Sequence, residues 1–346
     1  MRVHVIVPDG FDDPGRPSGG NVYDQRVCAG LAESGWDVLV ETVAAGLARV
    51  VAAIPDDETV LIDGLIASPA AAQLLPHAGR IQLTVLLHMP LAAALDTHHD
   101  ASAERSEQAV LRAAAGVIVT SEWTRRQVLT RYGIPAHRVH VARPGADRVA
   151  APARPVRGQL LCVGVLGPHK GQDLLVEALA GLADQDWTCV LAGSPDRDPD
   201  FTRRLRARIT RLGYDRRIRL SGVLAGAALS HAYSTADLLV APSRSETYGM
   251  TVTEALARGV PVLAAAVGGL PEALGHTADG TRPGRLVPPG DPAALAAALG
   301  DWLGDEDCRH RLRTAARRRQ PTLRGWEQTT QEIANALTRK KEQAVR

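Results

Sequence analysis

Two glutamates, Glu246 and Glu254, flank a glycine turn in the run Ser245-Glu246-Thr247-Tyr248-Gly249-Met250-Thr251-Val252-Thr253-Glu254, the part of the chain densest in usable chemistry. Gly249 permits backbone geometry closed to other residues. A helix can therefore start abruptly there, with the amides of Met250, Thr251 and Val252 as free first-turn donors. Free amides at a helix N-terminus attract phosphate. Glu246, ahead of the turn, can accept hydrogen bonds from sugar hydroxyls, and Glu254, about two helical turns later, can take a ribose diol on the same side.

Lysine occurs only at Lys170, Lys340 and Lys341, while arginine is used throughout. Lys170 lies in Gly164-Val165-Leu166-Gly167-Pro168-His169-Lys170-Gly171, between an expected strand and helix, where a compact ammonium can neutralise phosphate charge as a leaving group departs. The plainer reading is an accident of an arginine-biased composition. His88 follows Leu83-Thr84-Val85-Leu86-Leu87 and should emerge at the carboxyl edge of a sheet; alone, such a histidine is usually structural. Gly19 and Gly20 fall between the first strand and a helix expected from Val22, in a loop that can bring bare backbone to a phosphate or serve only as a turn. The run Asp96-Thr97-His98-His99-Asp100 has metal-ligand residue types, but adjacent loop histidines are mostly solvated, and acceptor-side contact or no role is preferred. Asp196-Arg197-Asp198-Pro199-Asp200 precedes an arginine-rich helix, so its aspartates read as N-terminal caps rather than as metal ligands. No metal site is expected.

These residues need strands and helices to hold them. The first half alternates apolar strands (3–8, 38–42, 60–63, 81–88, 117–120) with helical segments (22–34, 101–115), the pattern of a parallel α/β sheet. Residues 148–157, with Pro144, Pro152 and Pro155 in or beside them, break the alternation and read as a linker. It then restarts with strands at 160–163, 188–192, 218–221, 236–242 and 260–265 and helices at 172–183, 201–212, 227–232 and 292–302. The expected division is 1–150 and 151–325, each Rossmann-like.

A length of 346 residues allows two such cores. A formal charge of +2 gives no general pull towards nucleic acid, and 3% aromatic content leaves little for recognition by base stacking. Basic stretches at 203–219 and 317–319 are interspersed with apolar residues and read as solvated faces of amphipathic helices; membrane-surface contact is possible but not favoured. Cys28, Cys162, Cys189 and Cys308 show no paired spacing and read as reduced core thiols. A strand that begins beside Met1, with no long apolar run, leads us to expect a cytoplasmic protein without signal peptide or membrane span.

The Glu246 to Glu254 pattern resembles that of the retaining GT-B glycosyltransferases, in particular family 4. The likeness extends over most of the chain, through Ser18-Gly19-Gly20, His88, Thr120-Ser121-Glu122, Pro144-Gly145-Ala146-Asp147, Gly164 to Gly171, Ser221-Gly222-Val223 and Gly268-Gly269-Leu270-Pro271-Glu272. It implies an α/β GT-B fold, two Rossmann-like domains facing across a cleft, with the terminal helix from about 326 to 346 returning to the first domain. It implies a nucleoside diphosphate sugar as donor, transfer of a hexosyl group with retention, no cofactor, and a small-molecule, glycan or lipid acceptor. By the same resemblance, His88 faces the transferred sugar, Glu246 orients it, Glu254 holds the ribose and Lys170 the diphosphate. Gly19 and Gly20 serve the far side of the phosphates, and backbone at Gly222 and Val223 meets the base; Gly164, His169, Tyr248, Gly249, Met250 and Thr251 complete the donor side. The family's arginine after the glycine at Gly164 is Val165 here, leaving His169, Arg244 or Arg143 as substitutes. No residue stands out as a protein nucleophile. An epimerase, a phosphorylase or a non-catalytic nucleotide-sugar sensor would share this architecture; a nicotinamide-dependent oxidoreductase would need a tighter glycine motif than Gly164 to Gly167 provides.

Overall fold

The computed structural model of the chain describes all residues other than 16, 92–100, 148, 150–154 and 344–346, with backbone alone at 45 and 339–343. The chain divides into two compact units, one of Met1–Asp13, Pro17–Gly145 and Arg324–Arg346, the other of Pro14–Arg16 and Ala146–Leu323.

The first unit is built on strands β1 (Arg2–Val7), β2 (Asp37–Thr42), β3 (Thr59–Asp63), β4 (Gln82–Leu87), β5 (Gly116–Val119) and β6 (Val139–Val141). They form one six-stranded sheet in the order β2-β1-β3-β4-β5-β6, parallel throughout. Strands covered on both faces should be apolar on both. Successive residues of β1 to β5 accordingly divide between two clusters: Ile6, Val60, Ile62 and Val85 pack on one face, and Val3, Val5, Leu61, Leu86 and Ile118 on the other.

The second unit repeats the plan with β7 (Gln159–Val163), β8 (Thr188–Ala192), β9 (Ile218–Gly222), β10 (Leu238–Ala241), β11 (Val262–Ala265) and β12 (Gly284–Val287). Its order is β12-β11-β10-β7-β8-β9, again all parallel. Leu160, Cys162, Leu238 and Val240 face one cluster and Leu161, Leu239 and Ala241 the other. In each sheet the chain winds outward in both directions from an internal point, β1 against β3 and β7 against β10. Open α/β sheets bind ligands outside the carboxyl ends of such a pair.

The helix Trp326–Gln343 belongs to the first unit. Its Ile333, Ala336 and Leu337 are buried with Tyr23, Val27 and Leu31 of the helix Gly19–Glu33. The helices come close enough that a Cβ at Gly30 would fall 2.2 Å from Thr330 Oγ1, and Thr329 Oγ1 donates to the Arg143 carbonyl at 2.7 Å. Among the described residues, no helix is long and apolar enough to cross a membrane, and all four cysteines are free thiols.

Several elements differ from the sequence expectation. β6 and β12 were not foreseen: one is three residues long, and the other contains Gly284 and Arg285, so neither carries an apolar run. The helices Leu47–Ala53 and Glu122–Tyr132 were also missed. The first long helix starts at Gly19, not Val22, because Ser18 accepts the Asn21 amide at 3.0 Å and caps it there. Gly19 and Gly20 are thus first-turn helical residues rather than a loop. Most of the expected linker, 148–157, lies outside the described residues.

Candidate functional site

In the second unit, the loop after β7 is pressed against the end of β10. A Cβ at Gly171, whose φ is +68°, would fall 2.1 Å from the Pro242 carbonyl oxygen. That approach carries Lys170 to the segment after β10, where its Nζ donates to Glu246 Oε2 at 2.5 Å. Gln172, with no exposed surface, fixes the loop from below: its Nε2 donates to the Val165 carbonyl at 3.0 Å and its Oε1 takes the Gly167 amide at 3.4 Å. Gly164 sits against the Lys170 stem, with a Cβ there 3.3 Å from Lys170 Cδ. Lys170 and Glu246 thus stand at the carboxyl ends of β7 and β10, the strands between which the order reverses.

The turn after Glu246 needs its glycine. Gly249 has φ +102°, and a Cβ there would meet Leu270 Cδ2 at 2.5 Å. The helix it opens, Met250–Leu256, is short. Met250 and Thr251 donate to no backbone carbonyl of a described residue, but the Val252 amide bonds the Gly249 carbonyl at 3.0 Å. The expected third free donor is therefore engaged, because the helix begins with a tight turn. From the other side Gly269 donates its amide to the Glu246 carbonyl at 2.9 Å, and Gly268 lies so close that a Cβ would overlap the same oxygen at 1.7 Å.

Glu254, near the end of that helix, accepts the Tyr233 hydroxyl at 2.6 Å through Oε2. Burial raises its carboxyl above the ordinary range; the Tyr233 bond and the Arg258 charge pull it down, and Asp147 pushes it up. Tyr248 is buried beside the turn. Gly222, at the end of β9 with φ +70°, uses its carbonyl for the Gly193 amide at 2.9 Å, and Val223 follows it. His169 is held through its carbonyl, which takes the Arg244 amide at 2.8 Å. Arg244 itself is committed: both amino groups lie 2.7 Å from Asp173, whose carboxylate raises its pKa further. It makes a poor substitute for the arginine absent at Val165. Arg143 belongs to the first unit, where it lies 3.4 Å from Glu122, and His169 lies on the β7 loop itself. Asp198 accepts the Phe201 amide at 2.8 Å and caps the helix Pro199–Arg211, as expected from the sequence.

In the first unit, His88 follows β4 and sits beside the helix Gly19–Glu33. Its Nε2 is 2.8 Å from Asp24 Oδ1 and 4.0 Å from Asp63 Oδ2. The Tyr23 ring meets it edge-on at 5.1 Å, while the bare Gly20 leaves room for it, a Cβ there lying 3.3 Å from Cδ2. Asp24 and Asp63 are 1% and 3% exposed, and one oxygen of each, Oδ2, is buried without a hydrogen-bond partner. Burial alone would lower the basicity of His88, but the charge and hydrogen bond of Asp24, with Asp63 adding, outweigh it and raise the ring to about 9. Burial pushes the Asp63 carboxyl up; His88 opposes this and Asp24 reinforces it, for a value of about 7. Among the described residues, this is the group of three whose His or carboxylate atoms fall within 4.8 Å of one another, and Nε2 is already engaged by Asp24.

Sequence reasoning missed Asp24, Asp63, Gln172 and Glu107. Glu107 is wholly buried and takes Ser68 Oγ at 2.7 Å, the Leu91 amide at 3.0 Å and the Tyr132 hydroxyl, so it anchors the backbone just past His88. Burial raises its carboxyl, and these three bonds partly offset the rise. A carboxylate on an otherwise apolar stretch, as at the end of Val60-Leu61-Ile62-Asp63, was the one available signal. The run Asp96 to Asp100 lies outside the described residues.

Residues 147–319 match the family described as Glycosyl transferases group 1, and residues 2–149 match Glycosyltransferase Family 4. The chain is 33% identical over 233 residues to a D-inositol 3-phosphate glycosyltransferase of Jonesia denitrificans, covering 61% of this chain and 54% of that one. With its counterpart from Streptomyces scabiei it shares 32% over 266 residues, 70% of this chain and 58% of that. It therefore spans little more than half the length of these curated relatives. Among solved structures, sucrose-phosphate synthase from Thermosynechococcus elongatus superposes with a TM-score of 0.80 at 23% identity, over 99% of this chain and 100% of that one. Anabaena HepE in complex with UDP-glucose gives 0.76 at 21%, over 98% and 99%. With two family matches that together run from residue 2 to 319 and two parallel six-stranded sheets of this order, the chain belongs to the group 1 glycosyltransferases of family 4 and has the GT-B fold.

Proposed function

We propose that the protein transfers a hexosyl group from a nucleoside diphosphate sugar to an acceptor hydroxyl, with retention of anomeric configuration. The observation that carries this reading is the Lys170 and Glu246 pair at the carboxyl ends of β7 and β10. An ammonium has three donors, so Lys170 can keep Glu246 and still bond a diphosphate oxygen. Held in this way, Glu246 Oε1 is turned to sugar hydroxyls beside the phosphate, and the ammonium offsets the charge that grows on the leaving group. Glu254 gives Oε2 to Tyr233 and keeps Oε1 for a ribose diol. The amides of Met250 and Thr251 add two donors on the phosphate side, and backbone at Gly222 and Val223 is assigned to the base. With no protein nucleophile indicated, the favoured route is same-face attack in which the departing phosphate helps take the acceptor proton.

The names of the relatives supply the first substrates to try: D-inositol 3-phosphate as acceptor, and UDP-glucose, which HepE binds, as donor. The test is a panel of UDP, GDP, ADP and dTDP sugars, screened by thermal shift and then for nucleoside diphosphate release with and without acceptor. A ligand that binds only the folded chain raises its apparent stability. Acceptor-dependent release, with an anomeric proton of unchanged configuration in the product, is expected. Nucleoside diphosphate released with no glycoside formed would point instead to an epimerase, and no binding of any donor would remove the reading.

A further inference from the structure

The cluster around His88 uses two buried carboxylates that the donor assignments do not call on. Asp24 comes from the helix after β1, Asp63 from the last position of β3 and His88 from the end of β4. They therefore meet at the carboxyl edge where the first sheet reverses its order, the counterpart of the Lys170 and Glu246 position in the second unit. Two carboxylates this deeply buried are costly unless paired with positive charge or a proton. Here one Asp63 oxygen takes the Leu65 amide at 2.6 Å, while its Oδ2 and that of Asp24 have no hydrogen-bond donor. Among the described residues, the group beside both that can carry positive charge is His88, with Nε2 2.8 Å from Asp24 and 4.0 Å from Asp63.

The orientation of the ring follows. Nε2 faces the carboxylates, Tyr23 closes one side, and Gly20 leaves the space that the Cδ2 edge occupies. Nδ1 bonds no described residue, and the side chain keeps 16% of its surface exposed. We propose that Asp24 and Asp63 are positioning residues that hold His88 as an imidazolium, whose Nδ1–H is presented to a substrate oxygen at the carboxyl edge of the first sheet. The part of this that concerns turnover rests on the glycosyltransferase reading; the part that concerns the ring does not. Such a donor keeps its charge and direction without reorganising during the reaction, which is what makes a preorganised dipole effective. The basicity of about 9 agrees with this arrangement.

Among the described residues, Tyr23 and Cys28 are two further titratable groups beside the cluster. Tyr23 gives its hydroxyl to the Ala142 carbonyl at 2.8 Å. The Cys28 thiol, raised to about 12 by burial and then by the Asp24 charge, stays neutral.

The test compares the full chain with Asp24→Asn and Asp63→Asn by NMR titration of the His88 ring, assigned through loss of its signals in His88→Asn, and by steady-state kinetics across pH. In the parent, His88 should remain an imidazolium up to about pH 9. In Asp24→Asn it should titrate near or below the ordinary value of about 6.5. At pH 7.5 that variant should lose about tenfold or more in kcat with donor KM little changed, and lowering the pH should restore part of the loss. A merely structural role would give no such acid rescue. Asp63→Asn, which removes the more distant charge, should shift the titration in the same direction by less, and it serves if Asp24→Asn does not fold.

A neutral His88 at pH 7.5 in the parent would overturn the proposal. So would an unshifted titration in both variants, or one bound metal ion per chain whose chelation moves the His88 signals. If the ring titrates as expected but kcat and its pH profile are unchanged, the turnover role is refuted. No transfer by the parent from any donor sinks the glycosyltransferase reading itself, and the NMR titration still decides the state of the ring.

Discussion

Replacing Lys170 with alanine separates two roles that the structure superimposes on one ammonium. Lys170 is paired with Glu246 at 2.5 Å, and both side chains are largely shielded, at 22% and 16% exposure. Its loss should therefore cost stability, because Glu246 is left without its partner; removing one member of a shielded charged hydrogen bond costs roughly 1–3 kcal/mol. Glu246→Gln should cost a similar amount for the reciprocal reason, and the double variant should recover part of the loss, since neither charge is then stranded. Turnover should behave differently. If Lys170 also bonds the diphosphate, a charge-assisted contact worth roughly 1.5–3 kcal/mol disappears from the transition state. At about 1.4 kcal/mol per tenfold, kcat should fall about ten- to hundredfold or more, and adding Glu246→Gln should not bring it back. The assays are urea unfolding and steady-state turnover at saturating donor and acceptor on all four proteins. Val165→Arg in the Lys170→Ala background should regain part of the rate, since it places a guanidinium on the same loop. Parental turnover in Lys170→Ala, or activity that returns together with stability in the double variant, would refute the phosphate role and leave the pair as a structural link between β7 and β10.

Glu254→Ala should act on affinity rather than on chemistry, weakening binding of the parent nucleoside diphosphate by about tenfold through loss of a charged hydrogen bond; unchanged affinity by calorimetry would refute the ribose role. Activity should survive exhaustive EDTA treatment, since Lys170 and backbone amides are assigned to the diphosphate, and restoration only by manganese or magnesium would sink that assignment. The His88 cluster should also leave a mark on stability. Its folded-state values of about 7 for Asp63 and about 9 for His88 lie above the ordinary 3.8 and 6.5. The folded chain thus keeps protons that the unfolded chain releases, and the cluster's contribution falls as pH rises, through about 4 to 7 for Asp63 and about 6.5 to 9 for His88. The His88 part is fully present below pH 6.5. Asp63→Asn should flatten the lower window in urea midpoints measured from pH 4 to 7, and a parental slope there would count against the raised Asp63 carboxyl.

Much of the fold was legible because parallel strands covered on both faces must be apolar at nearly every position. Val60-Leu61-Ile62-Asp63 and Leu83 to Leu87 announce themselves in that way. Local backbone chemistry was equally readable: Gly249 adopts φ +102° at the head of its helix, and Asp198 caps the next helix but one before it. β6 and β12 escaped notice because an edge strand needs only a few backbone bonds to a neighbour and no apolar run, and that neighbour is known only once the sheet is assembled.

The candidate site divides along the same line. Residue types and local spacing picked out Glu246, Glu254, Lys170 and His88, since a glycine turn between carboxylates, a solitary lysine and a histidine at a strand end are all properties of short segments. That Lys170 and Glu246 share a hydrogen bond across 76 positions was settled only by β7 and β10 lying side by side. Asp24 had no local signature, because an aspartate on an amphipathic helix is ordinary there, and Asp63 had only its place at the end of an apolar strand. They acquire meaning only when the winding of the first sheet brings three separate elements to one edge and removes their carboxylates from water. Charge burial is a property of the packed chain, and no window of sequence contains it.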